Sequence, residues 1–293
     1  MGELKYDRVR KISRLLSEHG LRLRKRLGQH FLVNPRALEA IVDRAAPASD
    51  ELVVEVGAGI GNLTFLLRQR AGRVVSFELD ENFRPLHEKF FSATPNVRVA
   101  YQDFLKADLA KLIAEEKFSK AKVVGNIPYS ISSAILMHVL ESGVRWAGVF
   151  LLMQKEVAER LAAPPGSKVY SLLTAKVNYF GVAEASVPIS AKSFLPPPKV
   201  DSALVAIRLR EKPRDLSDLE RRELFRLLNA AFGQRRKQLV NALSASPHIT
   251  LAKTAVEGAL QRCDLSPKAR AEDFGIEQFI AVYQTLKSHG AKF

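Results

Sequence analysis

The chain of 293 residues is long enough for about two domains, and 47% hydrophobic against 26% charged residues exclude a disordered or fibrous protein. Lys and Arg number 45 against 31 Asp and Glu, a formal charge of +14 that calls for an anionic partner, nucleic acid or an anionic membrane surface. The one cysteine, Cys263, excludes an internal disulfide framework and a cysteine zinc cluster, and fits a reducing cytoplasm.

Residues 1–30 carry nine basic and three acidic side chains with no continuous apolar stretch, the wrong pattern for a secretory signal. No window reaches the ~18 apolar residues that cross a bilayer. A soluble, cytoplasmic protein without a membrane partner is expected. Residues 1–25 read as a basic N-terminal extension, with a dense cluster at Arg22, Arg24, Lys25 and Arg26. Asn34-Pro35 then reads as a helix start, followed by Leu38, Ile41 and Val42 on one helical face.

From Leu52 to about Arg210, short β-branched runs alternate with helix-like segments. Strands are expected at 52–56, 73–77, 97–101, 122–124, 149–153, 175–180 and 202–210, the pattern of a mostly parallel sheet wrapped by helices. Pro213 then breaks the chain, Ser217-Asp218-Leu219-Glu220 fits a capping box, and Leu224, Leu227, Leu228, Ala231 and Phe232 repeat at helical spacing. The expected organisation is an α/β domain over 26–211 and a smaller all-helical domain over 212–293.

Within the α/β domain, residues 52–64 read as a buried strand, a glycine turn through Gly57, Gly59 and Gly61, and a helix start. Such a turn needs glycine because the backbone bends sharply and approaches a ligand closely. Glu78 closes the second strand 21 residues after Gly57, where a carboxylate accepts hydrogen bonds from both ribose hydroxyls of a nucleoside. The G-x-G-x-G spacing differs from the dinucleotide G-x-G-x-x-G, and Glu55 just before the turn would repel a pyrophosphate but attract the amino group of a methionine moiety. The pair favours S-adenosylmethionine over NAD. Asp103, beyond the third strand, reads either as an acceptor for the adenine amine of that cofactor or as a helix cap.

Asn126-Ile127-Pro128-Tyr129 follows the fourth strand, at the carboxyl edge where open α/β sheets bind ligands. The exocyclic amine of adenine is a poor nucleophile because its lone pair is delocalised into the ring. Acceptance of its two hydrogens by the Asn126 amide oxygen and the Ile127 carbonyl favours a pyramidal nitrogen able to attack a sulfonium methyl in line. Pro128 biases Ile127 towards an extended backbone, and Tyr129 offers a ring for stacking the target base.

These motifs together resemble the adenine-N6 ribosomal RNA dimethyltransferases. The stretches 28–32 (GQHFL), 194–202 (FLPPPKVDS) and 232–237 (FGQRRK) narrow the resemblance to the KsgA (RsmA) branch. It runs from about Arg26 to about Phe279. It implies a Rossmann-like S-adenosylmethionine-dependent methyltransferase domain followed by a helical RNA-binding domain, acting on two adjacent adenosines in a hairpin loop of small-subunit (16S) rRNA within an immature 30S particle, as a monomer. By the same resemblance His30 and Leu32 border the cofactor, and Gly57, Glu78, Asp103 and Asn126 contact it or lie beside it. Many relatives carry Asn at the position of His30. Phe194, ahead of three prolines, either sandwiches a flipped adenine with Tyr129 or packs beneath a loop. Arg235-Arg236-Lys237 and the Arg22–Arg26 cluster are the candidate phosphate contacts, and no histidine has metal-ligand spacing. The rival readings are an Erm-type enzyme acting on large-subunit rRNA and a non-catalytic RNA-binding assembly factor.

Overall fold

The computed structural model describes residues 14, 17, 18, 20, 21 and 28–293, apart from 213 and 248. Arg22, Arg24, Lys25, Arg26 and Pro213 therefore lie outside the described residues. After the two-residue strand β1 (Phe31–Leu32), helix α1 (Pro35–Ala45) begins where Asn34-Pro35 places it. The Asn34 side chain accepts from the Ala37 amide at 3.3 Å, proline occupies the first turn, and Leu38, Ile41, Val42 and Ala45 face the core.

The chain then alternates: β2 (Leu52–Val56), α2 (Asn62–Leu67), β3 (Arg73–Glu78), α3 (Arg84–Phe91), β4 (Val97–Tyr101), α4 (Leu109–Glu116), β5 (Ala121–Asn126), α5 (Ser132–Glu141) and β6 (Gly148–Gln154). Strands buried on both faces need continuous apolar runs, and every residue of β2 is buried. Next come α6 (Lys155–Leu161), α7 (Leu172–Phe180), β7 (Gly181–Ile189), β8 (Phe194–Leu195) and β9 (Ser202–Leu209). The seven-stranded sheet has the order β4-β3-β2-β5-β6-β9-β7, with β2 to β6 parallel and β9 antiparallel to β6. The chain winds outward from β2 to β4 and returns on the other side of β2 with β5, so the strand order reverses between β2 and β5. Ligands bind at the carboxyl ends of strands flanking such a reversal.

The expected strand at 175–180 is a helix. Ser171 caps α7 by accepting from the Thr174 amide, and Thr174, Ala175, Val177 and Tyr179 are buried. A short apolar run fits either period, and here the cap decides. The strand follows one step later as β7, at the sheet's edge, where a proline such as Pro188 is tolerated.

The chain forms two compact units. The first runs to Ala158 and resumes over Ala183–Leu209; the second comprises Glu159–Val182 and Arg210–Phe293. The uninterrupted α/β domain expected over 26–211 is thus corrected, because the segment around α7 packs with the C-terminal helices. Tyr179 and Phe180 meet Phe225 edge-on at 5.5 and 6.1 Å, and Tyr170 lies 6.1 Å from Phe232. In this second unit α8 (Asp218–Gly233) opens on the capping box of Ser217 and Glu220 and buries Leu224, Leu227, Leu228, Ala231 and Phe232. Helices α9 (Leu239–Ser244), α10 (Lys253–Arg262) and α11 (Ile276–Ser288) complete it.

Candidate active site

A cavity of about 330 Å³ opens at the carboxyl ends of β2, β3 and β5, where the sheet order reverses. The loop after β2 forms its floor. Gly59 has φ +56°, and a Cβ there would come within 3.1 Å of the Phe31 ring. Its amide donates to Glu78 Oε2 at 2.7 Å, while the Asp80 amide donates to Glu78 Oε1 at 2.8 Å. Glu78 is thus held rigidly at the wall by backbone donors, each oxygen keeping a further lone pair. Burial pushes its carboxyl above the ordinary range.

Gly57 lines the cavity; Gly61 does not. The latter begins α2 at φ +82°, and a Cβ would meet the Phe91 ring at 2.9 Å, so glycine is required there for packing. Glu55 is corrected as well. It is fully buried beneath the loop and absent from the cavity wall, its Oε2 accepting from Thr64 Oγ1 at 2.5 Å and from Ser76 Oγ. Strand alternation turns it away from the ligand face. Among the described residues its other oxygen has no hydrogen-bond partner, and desolvation, only partly offset by the two hydroxyls, raises its carboxyl to about 7.

Asn126 ends β5 at the opposite wall, and its Nδ2 donates to the His30 carbonyl at 2.8 Å. That bond fixes which way the amide faces and leaves Oδ1 as an acceptor. Ile127, Pro128 and Tyr129 continue the wall. The Tyr129 hydroxyl lies 2.5 Å from Ser202 Oγ at the start of β9, and burial pushes its phenol upward. His30 stacks on the Tyr129 ring at 6.1 Å and 18°. Its Nδ1 lies 2.8 Å from the Pro196 carbonyl; a carbonyl only accepts, so Nδ1 carries the proton. Leu32 lines the cavity from β1. Asp103 lines the cavity and caps a short turn, its Oδ1 accepting from the Leu105 amide at 3.0 Å.

Phe194 does not face Tyr129. Strand β8 pairs antiparallel with β1, Leu32 opposite Phe194, and the Phe194 ring enters the core with Leu38, Ile41 and Leu204 at 3% exposure. Alternation sends Leu195 the other way, against Phe31 and Ile60. Of the two rings expected to stack, Tyr129 lines the cavity and Phe194 does not. In the second unit Arg235 serves the fold: its guanidinium donates to the carbonyls of Lys168 and Tyr170 at 3.0 and 2.8 Å and pairs with Glu272 at 2.9 Å. Arg235, Arg236 and Lys237 are all exposed.

The sequence reading missed Leu79 and Ile131, apolar residues 56% and 40% exposed that line the cavity. A leucine set among Glu78, Asp80 and Glu81 is the signal that marks the first.

Residues 20–288 match the family model described as ribosomal RNA adenine dimethylase. The chain belongs to the ribosomal RNA adenine dimethylase family. Among its relatives, the ribosomal RNA small subunit methyltransferase A of Bacillus pumilus is 39% identical over 278 residues, covering 93% of this chain and 94% of its own. That of Shouchella clausii is 38% identical over 280 residues, covering 93% and 94%. A dimethyladenosine transferase from Plasmodium falciparum superposes with a TM-score of 0.76 at 26% identity, covering 89% of this chain and 99% of its own. The 23S rRNA methyltransferase ErmE does so at 0.66 and 28% identity, covering 88% and 99%. The protein is therefore an S-adenosylmethionine-dependent rRNA adenine dimethyltransferase of the KsgA/RsmA type, with a Rossmann-like domain and a C-terminal helical region.

Proposed function

We propose that the enzyme dimethylates the N6 amines of two adjacent adenosines in a hairpin loop of small-subunit rRNA, acting as a monomer on an immature 30S particle in the cytoplasm. The observation that carries the adenine chemistry is the Asn126 amide at the cavity wall, whose nitrogen donates to the His30 carbonyl and whose oxygen is left as an acceptor. Support for the small subunit comes from the relatives at 38–39% identity that carry that name over nearly their full length, against 28% for ErmE.

The cavity fits S-adenosylmethionine: Gly57 and Gly59 line it at positive φ in the turn after β2, Glu78 is braced for ribose hydroxyls, and Leu79 offers an apolar face to a purine. When bound, that cofactor supplies an electrophilic methyl group on sulfur. The chain's own residues prepare the nucleophile. Asn126 Oδ1 and the Ile127 carbonyl each accept a hydrogen bond from the adenine amine, localising its lone pair and stabilising the positive charge that grows on nitrogen, and the methylated amine then loses one of its two protons to solvent. Tyr129 holds the base by its face, and Ser202 holds Tyr129. A second transfer requires the monomethylated amine to re-enter the same grip with one hydrogen replaced by a methyl group.

The test is to mix enzyme and S-adenosylmethionine with unmethylated small and large ribosomal subunits and to map the modified nucleotides. Two neighbouring dimethyladenosines confined to the small subunit are expected. Modification confined to the large subunit would overturn the assignment.

A further inference from the structure

His87 is a buried histidine on α3 that no step above uses. Its Nε2 lies 2.8 Å from the Gly59 carbonyl and its Nδ1 2.8 Å from the Tyr101 hydroxyl. The carbonyl only accepts, so Nε2 carries the hydrogen and Nδ1 accepts from Tyr101. Burial holds the imidazole below its ordinary pKa, in keeping with this neutral tautomer. Gly59 is thereby gripped at both backbone groups, its N–H by Glu78 and its carbonyl by His87. The histidine is itself held: its ring lies 6.2 Å from Phe83 and from Phe91, and Tyr101, paired beside Glu78 at the end of β4, carries the Arg84 guanidinium 3.9 Å above its ring.

We propose that His87 is a positioning residue for S-adenosylmethionine, holding the Gly59 peptide so that the glycine loop keeps the shape that receives the cofactor, with Tyr101 fixing the tautomer that can do so. The proposal rests on the reading of this cavity as the cofactor site. His87 touches the loop from behind and is absent from the cavity wall, so it acts through Gly59.

Three variants separate this role from general packing. His87→Leu removes the donor, His87→Gln keeps an N–H where Nε2 stood, and Tyr101→Phe leaves the donor but lets Nδ1 take the proton. Calorimetric binding of S-adenosylmethionine and steady-state kinetics are measured on each, with thermal unfolding as a check on folding. For His87→Leu the cofactor Kd and KM should rise roughly fivefold to tenfold, the worth of one neutral hydrogen bond, with kcat at saturating cofactor within about twofold. His87→Gln should recover most of that loss, and Tyr101→Phe should fall between. Equal weakening by Leu and Gln, no weakening by Leu, or a loss confined to kcat overturns the proposal. If His87→Leu does not fold, Tyr101→Phe weaker than His87→Gln supports it and the reverse order overturns it. A wild-type enzyme that binds no S-adenosylmethionine would instead remove the cavity assignment and the proposal with it.

Discussion

Asn126 and His30, 96 residues apart in the chain, are joined by one hydrogen bond of 2.8 Å from side-chain Nδ2 to backbone carbonyl. An asparagine amide can face either way, and this bond decides it: among the described residues Oδ1 has no intramolecular partner. The segment ahead of the sheet thus sets the polarity of the reaction motif behind β5.

Asn126→Ala should lower methyl transfer by about 100-fold or more, the scale on which transition-state hydrogen-bonding groups act, while binding of S-adenosylhomocysteine changes by less than about threefold. Asn126→Asp should not restore activity, because it sets a carboxylate oxygen against the His30 carbonyl where an N–H donor stood. Radiolabelled transfer together with calorimetry reads both.

Tyr129→Phe and Ser202→Ala break the same hydrogen bond from its two ends. Each should reduce kcat/KM for RNA by roughly threefold to tenfold, and the double variant should cost little more than either alone. Full additivity would mean that Ser202 does not act through Tyr129.

Glu55 makes stability depend on pH. Its folded carboxyl is raised to about 7 from an ordinary 4.5, so between those values the folded protein binds more protons than the unfolded chain. Stability should therefore fall as pH rises through this window and level off above it, by at most about 3 kcal/mol from this group. Glu78 is raised too and slopes the same way. Glu55→Gln should flatten the slope in urea unfolding at pH 5, 6, 7 and 8; an unchanged slope would assign it to other groups.

Arg235 and its neighbours should separate cleanly. Arg236→Ala with Lys237→Ala should weaken RNA binding and reduce its salt slope by about 0.7–0.9 per charge removed, if both meet phosphates. Arg235→Ala should instead lower the stability of the C-terminal unit by about 1–2 kcal/mol, since it strands two carbonyls and a carboxylate. Salt titrations and denaturant melts distinguish the two.

What was legible in the sequence follows local chemistry. The Asn34-Pro35 helix start, the β2-glycine-α2 turn and the Ser217 capping box are spelled by adjacent residues, and the structure places each at its expected position. Asn126 and Tyr129 were legible because their motif follows a buried strand at the sheet's carboxyl edge. The surroundings of Phe194, Glu55 and Arg235 were not legible, because they are made by distant chain. The β1–β8 pairing turns Phe194 into the core, Thr64 and Ser76 enclose Glu55, and Lys168, Tyr170 and Glu272 capture Arg235. Leu79 is marked in the sequence only by its acidic neighbours, and its exposure at the cavity wall is set by the turn after β3.

The most direct test of the adenine grip is a crystal structure of the enzyme with S-adenosylhomocysteine and adenosine. The account predicts the adenosine N6 within about 3 Å of both Asn126 Oδ1 and the Ile127 carbonyl, with the base against the Tyr129 ring. A base seated in the cavity with N6 turned away from those two oxygens would contradict it.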